Sequence, residues 1–176
     1  EIDVDIISFA DSNVKTICIE DWDTNGDGEL SKTEAAAVSS LGEVFRDNKV
    51  ITSFNELQYF TGLTEIGAWT FYNCTNLTSV ILPNSITSIG NDAFNSCHKL
   101  ISVPIPCSVK NISYAVFRNC FSMTDIYVDD SNTNYCSVDG VLFSHDKKVL
   151  VAYPDGKQGA YSIPNSVIEI GNCAFS

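Results

Sequence analysis

The sequence predicts an α+β repeat solenoid in which short parallel strands are stacked coil on coil behind a small helical cap. Three features support this prediction: a 23-residue period of apolar residues, an acidic loop of twelve residues between two helical patterns, and one long repeat with an inserted β-hairpin. They divide the chain into a helical cap with a single acidic loop over residues 1–50 and a repeat region over 51–176.

The 23-residue period is clearest between the second coil, 77–99, and the third coil, 100–122. Self-similarity at this period, with leucine-like residues at fixed offsets, is typical of leucine-rich repeats. One such repeat is too small to bury its apolar face alone, so neighbouring coils must cover one another. The recurring positions are Ile66, Ile89 and Ile112, then Phe71, Phe94 and Phe117, then Cys74, Cys97 and Cys120, and finally Leu77, Leu100 and Met123.

Each coil is predicted to hold two short parallel strands and a tight turn. In the second coil we expect strands at 77–82 and 86–89 and a turn over 91–97 that buries Ala93 and Phe94. The first coil is expected to superimpose on the second without a gap. That alignment places Phe54 opposite Leu77 and Leu57 opposite Val80.

Composition indicates a folded, acidic protein. The 176 residues are 44% hydrophobic and 11% aromatic, which argues against disorder despite a net charge of −12. Nucleic acid and anionic membranes reward basic patches, so neither is expected as the main partner. No apolar run approaches the roughly 20 residues needed to cross a bilayer, so no membrane insertion is expected in this segment.

Two helices are predicted in the cap. Asp11 or Ser12 can cap the first, which carries apolar residues at helical spacing. The second is predicted over 32–45 and should lie against the first coil, because the first repeat has nothing upstream on which to bury its apolar edge.

The segment 23–34 fits the EF-hand calcium loop at every diagnostic position, with Gly28 at the sharp turn and Leu30 pointing inward. A solvated acidic turn is the alternative. Only one loop is visible, which favours a structural Ca²⁺ over a sensor site, since sensors usually pair two loops. The expected ligands are Asp23, Asn25 and Asp27, the Glu29 carbonyl, Ser31, directly or through water, and Glu34 with both carboxylate oxygens.

The fourth coil is predicted to be interrupted. The interval from Phe117 to Phe175 is 58 residues, which is one period plus an insertion of 35. Two apolar runs, 139–143 and 149–153, are separated by polar residues and predict a β-hairpin. The regular pattern resumes at 161–171.

The seven cysteines and two histidines do not indicate a catalytic or zinc site. Cys74, Cys97 and Cys120 share one repeat position, so we expect a buried column rather than disulfides, because side chains in a ladder point the same way. No Cys-x-x-Cys pair is present. His98 and His145 fall in polar turns, and the sequence places no nucleophile with an oriented base beside either one.

A partner-binding stripe is predicted on the outward face of the first strands. If these strands line a concave face, the aligned positions form a flat, mildly apolar surface of the kind that repeat proteins use for binding. Ordinary scattered apolar surface residues are the alternative, and both interpretations stay open. The stripe comprises Gln58, Ser79, Ile81, Ser102, Pro104, Asp125 and Tyr127.

The pattern Pro-x-Ser-Ile/Val-x-x-Ile-Gly-x-x-Ala-Phe, seen best within 77–97 and 163–175, resembles the BspA-like (treponemal-type) leucine-rich repeats. The insert around Asn134 to Lys157 is similar to the long repeat variant of that family. The resemblance covers 51–176. The sequence departs from it at Trp69-Thr70-Phe71, where Ala-Phe is usual.

The resemblance implies a non-enzymatic, cell-surface or secreted bacterial protein that binds a protein or glycan ligand on a host or neighbouring cell. We expect a monomer whose signal or anchor segment lies outside this chain, and further repeats, because the chain stops inside a coil. Two alternatives stay open. A targeting module of a larger secreted enzyme predicts a catalytic domain in the full-length gene, and a calcium-responsive switch predicts a calcium-dependent change of shape.

Overall fold

The computed structural model describes residues 5–175, so residues 1–4 of the predicted cap and residue 176 of the predicted repeat region lie outside the described residues. Two α-helices, α1 (Ser12–Trp22) and α2 (Lys32–Ala37), precede a 3₁₀ helix at Asn55–Tyr59. The strands are β1 (Ser53–Phe54), β2 (Glu65–Ile66), β3 (Ser79–Val80), β4 (Ser88–Ile89), β5 (Asn111–Ile112), β6 (Tyr135–Val138), β7 (Val141–Ser144), β8 (Val149–Ala152) and β9 (Glu169–Ile170).

Parallel strands from successive coils pair side by side. β2, β4 and β5 form one parallel sheet, in which Glu65 is opposite Ser88 and Ser88 is opposite Asn111, a step of 23 residues each time. β1 pairs in parallel with β3, and parallel bridges link Ser79 to Ser102 and Ile105 to Val128. The prediction of a repeat fold with parallel strands is therefore confirmed.

The strands are shorter than the sequence pattern predicts. The expected strands 77–82 and 86–89 are reduced to Ser79–Val80 and Ser88–Ile89. Pro83 has no backbone N–H to donate to a ladder, and the chain has to turn on both sides of it to close the coil. Each coil therefore spends only a few residues in pairing, and most of it in turns.

The turn over 91–97 joins coils by a second row of backbone hydrogen bonds. The Phe71 amide donates to the Ala93 carbonyl at 2.8 Å, and the Phe94 amide donates to the Val116 carbonyl at 3.0 Å. Ala93 and Phe94 are fully buried, as predicted. The backbone is left-handed at two points of this turn, Asp92 and Ser96, with φ of 55° and 63°.

A column of four phenylalanine rings runs through the core. Phe45, Phe71, Phe94 and Phe117 stack in order, with ring centroids 5.4, 5.2 and 5.8 Å apart. Three of them share the predicted 23-residue spacing, and Phe45 joins from the end of the predicted cap. The repeat packing therefore begins before residue 51.

A cysteine column runs beside the phenylalanine rings, as predicted. The thiols of Cys74, Cys97 and Cys120 are fully buried and donate to the carbonyl oxygens of Phe45, Phe71 and Phe94 at 3.0, 3.0 and 3.2 Å. None of the seven cysteines, all of which lie within residues 5–175, is in a disulfide. Desolvation raises the pKa of Cys120 to about 12 and raises that of Cys97 as well, so both thiols stay protonated at neutral pH.

The predicted alignment of the first coil is wrong. Phe54 pairs with Val80 rather than lying opposite Leu77, and Leu57 has no strand partner. Phe54 and Ile66 are 12 positions apart, whereas Val80 and Ile89 are 9 apart. The 3₁₀ helix accommodates the three extra residues and turns the buried Leu57 side chain into the core.

Helix α2 is also shorter than predicted, ending at Ala37 rather than at residue 45. Val38 is extended, with ψ of 120°, and Gly42 is left-handed, with φ of 56°. The first coil lies directly against this helix end, since a Cβ atom at Gly62 would sit 2.7 Å from the Val38 carbonyl oxygen. The turn that follows lets Phe45 join the ring column, so tertiary packing overrides the helical pattern of this segment.

The fourth coil contains the predicted hairpin and one further strand. β7 and β8 are antiparallel, as expected, and β6 adds antiparallel to β7 through a turn at Asp139 and Gly140, where φ is 51° and 76°. β9 then pairs in parallel with β8 and returns the chain to the repeat pattern. Within residues 5–175, no helix has the length and apolar character needed to cross a bilayer.

We predict that Phe94→Ala lowers the free energy of unfolding by about 3–5 kcal/mol, because the substitution removes a buried ring from the middle of the column. Urea unfolding monitored by circular dichroism provides the measurement. Phe121→Ala is the matched control, since Phe121 is exposed and should change stability by less than about 0.5 kcal/mol. Equal decreases in the free energy of unfolding of the two variants would contradict a stabilising role of the ring column.

Candidate functional site

The acidic loop between α1 and α2 is closed by hydrogen bonds to its own amides. The two carboxylate oxygens of Asp23 accept from the amides of Gly26 and Gly28 at 2.7 and 2.9 Å. Asn25 Oδ1 accepts from the Asp27 amide at 2.8 Å, and Asp27 Oδ1 accepts from the Glu29 amide at 2.9 Å. Gly28 has a φ of 82°, which a side chain would strain, so glycine suits this loop position.

Glu34 links the end of the loop to its beginning. Its Oε1 accepts from the Thr24 amide and hydroxyl, both at 2.9 Å, while Oε2 accepts from the Ser31 amide and hydroxyl, both at 3.0 Å. Ser31 and Glu34 also form a capping box on α2. Desolvation opposes ionisation of Glu34, but these hydrogen bonds outweigh it and lower its pKa to about 2. The side chain is therefore a carboxylate at neutral pH.

The N-terminal segment fastens the loop to the cap. The Ile7 amide donates to the Leu30 carbonyl and the Lys32 amide donates to the Asp5 carbonyl, both at 2.9 Å. Leu30 is fully buried, as predicted. The Glu29 carboxylate lies 2.7 Å from the Lys15 ammonium group. The loop is thus held from both sides, which fixes the positions of its oxygen atoms.

The donor set of the loop is chemically suited to a hard cation. Carboxylate, amide, hydroxyl and carbonyl oxygens are the ligands that Ca²⁺ takes. Each carboxylate oxygen of Asp23 and Asp27 has a single N–H donor and keeps a second lone pair, whereas both oxygens of Glu34 already accept two or more hydrogen bonds. Within residues 5–175, no group of three or more His, Cys, Asp or Glu side chains is arranged to hold a metal ion. Calcium binding at the predicted ligands, from Asp23 to Glu34, therefore stays a prediction.

Asp11 joins the cap to the first coil. It caps α1, where its Oδ1 accepts from the amides of Asn13 and Val14, and its Oδ2 accepts from the Thr52 amide and hydroxyl at 2.6 and 2.7 Å. Desolvation alone would raise the pKa of Asp11, but the hydrogen bonds, led by the Thr52 hydroxyl, outweigh it and lower that pKa. One buried carboxylate therefore stabilises two elements at once.

The predicted partner stripe is partly assembled. Ile81, Pro104 and Tyr127 lie in successive coils on one face and line a shallow groove of about 300 Å³. Ile81 is 39% exposed and Tyr127 is 55% exposed, so both place apolar surface in contact with water. Ser79 and Ser102 face each other across a parallel bridge at the start of the same stripe.

Four predicted members of the stripe do not line the groove: Gln58, Ser79, Ser102 and Asp125. Gln58 lies in the 3₁₀ helix, where its side chain donates to the Asn55 carbonyl, because the first coil is three residues longer than the alignment assumed. Asp125 is half-buried, with its carboxylate 3.6 Å from the Lys157 ammonium group.

A second cavity of about 320 Å³ continues the groove and contains residues that the stripe prediction missed. It shares Tyr127, Val128 and Asp129 with the first cavity and extends to Asp130 and His145. The 23-residue repeat contains a sequence signal for this acidic extension. Asp129 stands 23 residues after Pro106, and an acid in place of a turn proline marks this coil as different.

The second cavity also brings Cys136 near His145, but not in a catalytic arrangement. The Cys136 thiol is directed at the backbone carbonyl oxygens of Ser144 and His145, at 3.5 and 3.9 Å. Desolvation raises the pKa of this thiol, which disfavours the thiolate that a nucleophile requires. Cys136 therefore packs against the backbone of the turn that contains His145.

Comparisons with known proteins agree with the fold. The family profile described as "BspA type Leucine rich repeat region" matches residues 43–145 in six copies. A comparison with curated proteins found no match.

Three solved structures are similar to the chain, each at 24% identity. A leucine-rich cell surface protein from Faecalibacterium prausnitzii has a TM-score of 0.55 over 73% of this chain and 43% of that chain. A leucine-rich repeat protein from Eubacterium ventriosum gives 0.45 over 65% and 43%, and the pneumococcal vaccine antigen PcpA gives 0.48 over 65% and 40%. The chain spans less than half the length of each, and the likeness to the first shows the fold alone.

We predict that Asp11→Ala lowers the free energy of unfolding at pH 7 by about 2 kcal/mol, because a helix cap and two hydrogen bonds to Thr52 are lost together. Asp21→Ala, at an exposed position on the same helix, is the control and should change it by less than about 0.5 kcal/mol. Chemical denaturation of the three proteins measures both.

The Asp11 contribution should also depend on pH. The folded pKa is lowered from its ordinary value of 3.8, so the contribution is complete above that value and declines as pH falls through the lower folded pKa. The stability difference between the wild type and Asp11→Ala should narrow in acid. A difference that widens below pH 3.8 would contradict the assignment.

Proposed function

The chain belongs to the BspA-type leucine-rich repeat family, and we propose that it is a non-enzymatic, extracellular or cell-surface binding protein. In this proposal a repeat solenoid with a 23-residue period presents its first-strand face to a protein or glycan ligand on a host or neighbouring cell. The chain acts as a monomer, and a structural Ca²⁺ strengthens its N-terminal cap.

The exposed apolar line of Ile81, Pro104 and Tyr127 is the observation that supports this proposal most strongly. These side chains lie in three successive coils whose backbones are joined by hydrogen bonds, including one from the Ile105 amide to the Tyr127 carbonyl at 2.8 Å. A surface built on such a stack is fixed before a ligand arrives, which reduces the entropy lost on binding. Repeat proteins commonly bind through extended faces of this kind.

A surface location is supported by the relatives. One protein of similar fold, from F. prausnitzii, is described as a cell surface protein, and the family match covers more than half of this chain. A net charge of −12 is compatible with a soluble display domain, since net charge far from zero favours solubility.

A structural role for Ca²⁺ is supported by the position of the loop. The loop lies between the two cap helices, and its last expected ligand, Glu34, also belongs to the capping box of α2. An ion bound there would neutralise part of a dense acidic segment that contains Asp23, Asp27 and Glu34. Because the N-terminal segment already pairs with Leu30 and Lys32, the ion would reinforce an existing arrangement rather than open a new surface.

We predict that Ca²⁺ at about 100 times its dissociation constant raises the melting temperature of the wild type by about 5–10 °C over the same sample in chelator. Glu34→Gln should abolish most of this shift, because glutamine keeps a capping-box acceptor but loses the carboxylate. Glu65→Gln, at an exposed strand position, is the control and should respond like the wild type.

The folded circular dichroism spectrum should be the same with and without the ion. A wild type whose melting temperature ignores millimolar calcium would contradict the ion site. A large spectral change would favour the calcium switch instead.

The binding face is tested with a panel of extracellular matrix proteins and a glycan array. We predict that Ile81→Asp combined with Tyr127→Asp weakens binding of any ligand that the wild type retains by at least about tenfold, because a charge enters the centre of the apolar line. Val50→Asp combined with Tyr114→Asp makes the same chemical change at exposed positions outside the groove and serves as the control.

Similar binding by both double variants would remove the groove as the site. A wild type that retains no ligand from either panel would contradict the binding function.

A further inference from the structure

The two adjoining cavities on the first-strand face form one continuous trough. The first has a volume of about 300 Å³ and the second about 320 Å³, and they share Tyr127, Val128 and Asp129. We use "trough" for this combined groove, which begins at Ile81 in the second coil and ends at His145 in the inserted hairpin.

The first half of the trough is apolar. Ile81 and Pro104 are exposed there, and Ile105 and Leu82 form its buried floor. Among the described residues, no charged side chain lines this half before Asp129. It can therefore accept aliphatic or aromatic groups, but it offers little to a strongly hydrated ligand.

The second half of the trough is acidic. Asp129 and Asp130 are both exposed, and within the part of the chain that the structure describes neither lysine nor arginine lines either cavity. Among residues 5–175, the only hydrogen bond to the Asp129 carboxylate comes from the Ser131 amide, and no lysine or arginine pairs with either aspartate. Two uncompensated carboxylates at one end of an apolar groove favour a cationic group on the ligand.

The acidic end is held in place by a buried side chain. Asn132 is almost fully buried, and its amide group donates to the carbonyl oxygens of Pro106 and Val109 at 2.9 and 3.0 Å. Its Oδ1 accepts from the amides of Asn134 and Tyr135. The loop that carries the two aspartates is thereby fastened to the third coil. Such preorganisation reduces the ordering that binding would otherwise require.

We propose that the trough binds an extended segment of a partner protein in which a short apolar run is followed by lysine or arginine. This proposal rests on the binding function proposed above and specifies its ligand. The order of the ligand's groups follows the order of the lining, with the apolar run over Ile81, Pro104 and Tyr127 and the basic group beside Asp129 and Asp130.

The dimensions of the trough fix the length of the apolar run. Three adjacent coils at a strand spacing of about 4.8 Å place Ile81 and Tyr127 about 10 Å apart. An extended chain rises by about 3.3 Å per residue, so about three residues cover this distance. The basic side chains should follow within one or two residues, because Asp129 lies directly after the last apolar contact.

Peptides of about ten residues, labelled with fluorescein, test the proposal by fluorescence polarisation. The first carries three apolar residues, a one-residue spacer and two lysines. The second replaces both lysines by glutamate, and the third replaces the apolar residues by serine. We expect the first peptide to bind the wild type at least about tenfold more tightly than either of the others.

Two matched variants locate the binding. Asp129→Asn with Asp130→Asn should weaken binding of the lysine peptide by about tenfold, and asparagine preserves the acceptor for the Ser131 amide. Glu20→Gln with Asp21→Asn removes the same charge from exposed positions on α1 and should bind like the wild type. Raising the ionic strength should weaken binding of the lysine peptide to the wild type, and it should leave binding to the Asp129→Asn/Asp130→Asn variant nearly unchanged.

Several results would overturn the proposal while leaving the proposed function intact. One such result is equal binding of the lysine and glutamate peptides, and another is no binding of any peptide. In both cases the proposed function still holds if a panel ligand binds Ile81→Asp/Tyr127→Asp more weakly than it binds the control Val50→Asp/Tyr114→Asp. A glycan that binds the wild type and displaces the lysine peptide would replace the peptide as the trough's ligand. Failure of the binding function itself would show separately, as a wild type that retains no panel ligand.

Discussion

Every coil of this protein depends on its neighbour to keep its apolar side chains from water. A coil contributes only a few paired residues per strand, so its stability comes from what lies above and below it. Equivalent positions show this directly: Ile89, which lies between two coils, is fully buried, whereas Ile170 in the last described coil is 49% exposed. The stacked phenylalanine rings and the rows of amide-to-carbonyl hydrogen bonds both hold neighbouring coils together.

This constraint explains which features the sequence could predict. The 23-residue recurrence of phenylalanine and cysteine predicted the core columns, because repetition in sequence becomes stacking in space. Local chemistry predicted a helix cap at Asp11 or Ser12, of which Asp11 is the cap, as well as the inward Leu30 and the β7–β8 hairpin. Each of these depends on a short pattern that neighbouring elements do not alter.

The features that escaped prediction depend on contacts between segments distant in sequence. A helical pattern after Lys32 gave no sign that Phe45 would leave it to stack on Phe71. No local sequence signal distinguishes a three-residue insertion after Phe54 from a shifted strand register. The ungapped alignment of the first coil therefore placed Gln58 in the partner stripe, whereas its side chain bonds to the Asn55 carbonyl. The acidic half of the trough has no local signature, because Asp129 stands out only in alignment with Pro83 and Pro106 at its repeat position.

The cysteine column makes folding and redox chemistry interdependent. In the native protein the three column thiols are buried and donate hydrogen bonds to carbonyl oxygens, so alkylating agents and oxidants, which react with accessible thiolates, do not reach them. Unfolding in an oxidising medium exposes the four buried thiols, those of Cys18, Cys74, Cys97 and Cys120, and oxidation can then join cysteines in pairs that the native stack does not permit. We therefore expect reductant to improve refolding, although no disulfide is present in residues 5–175 of the native fold.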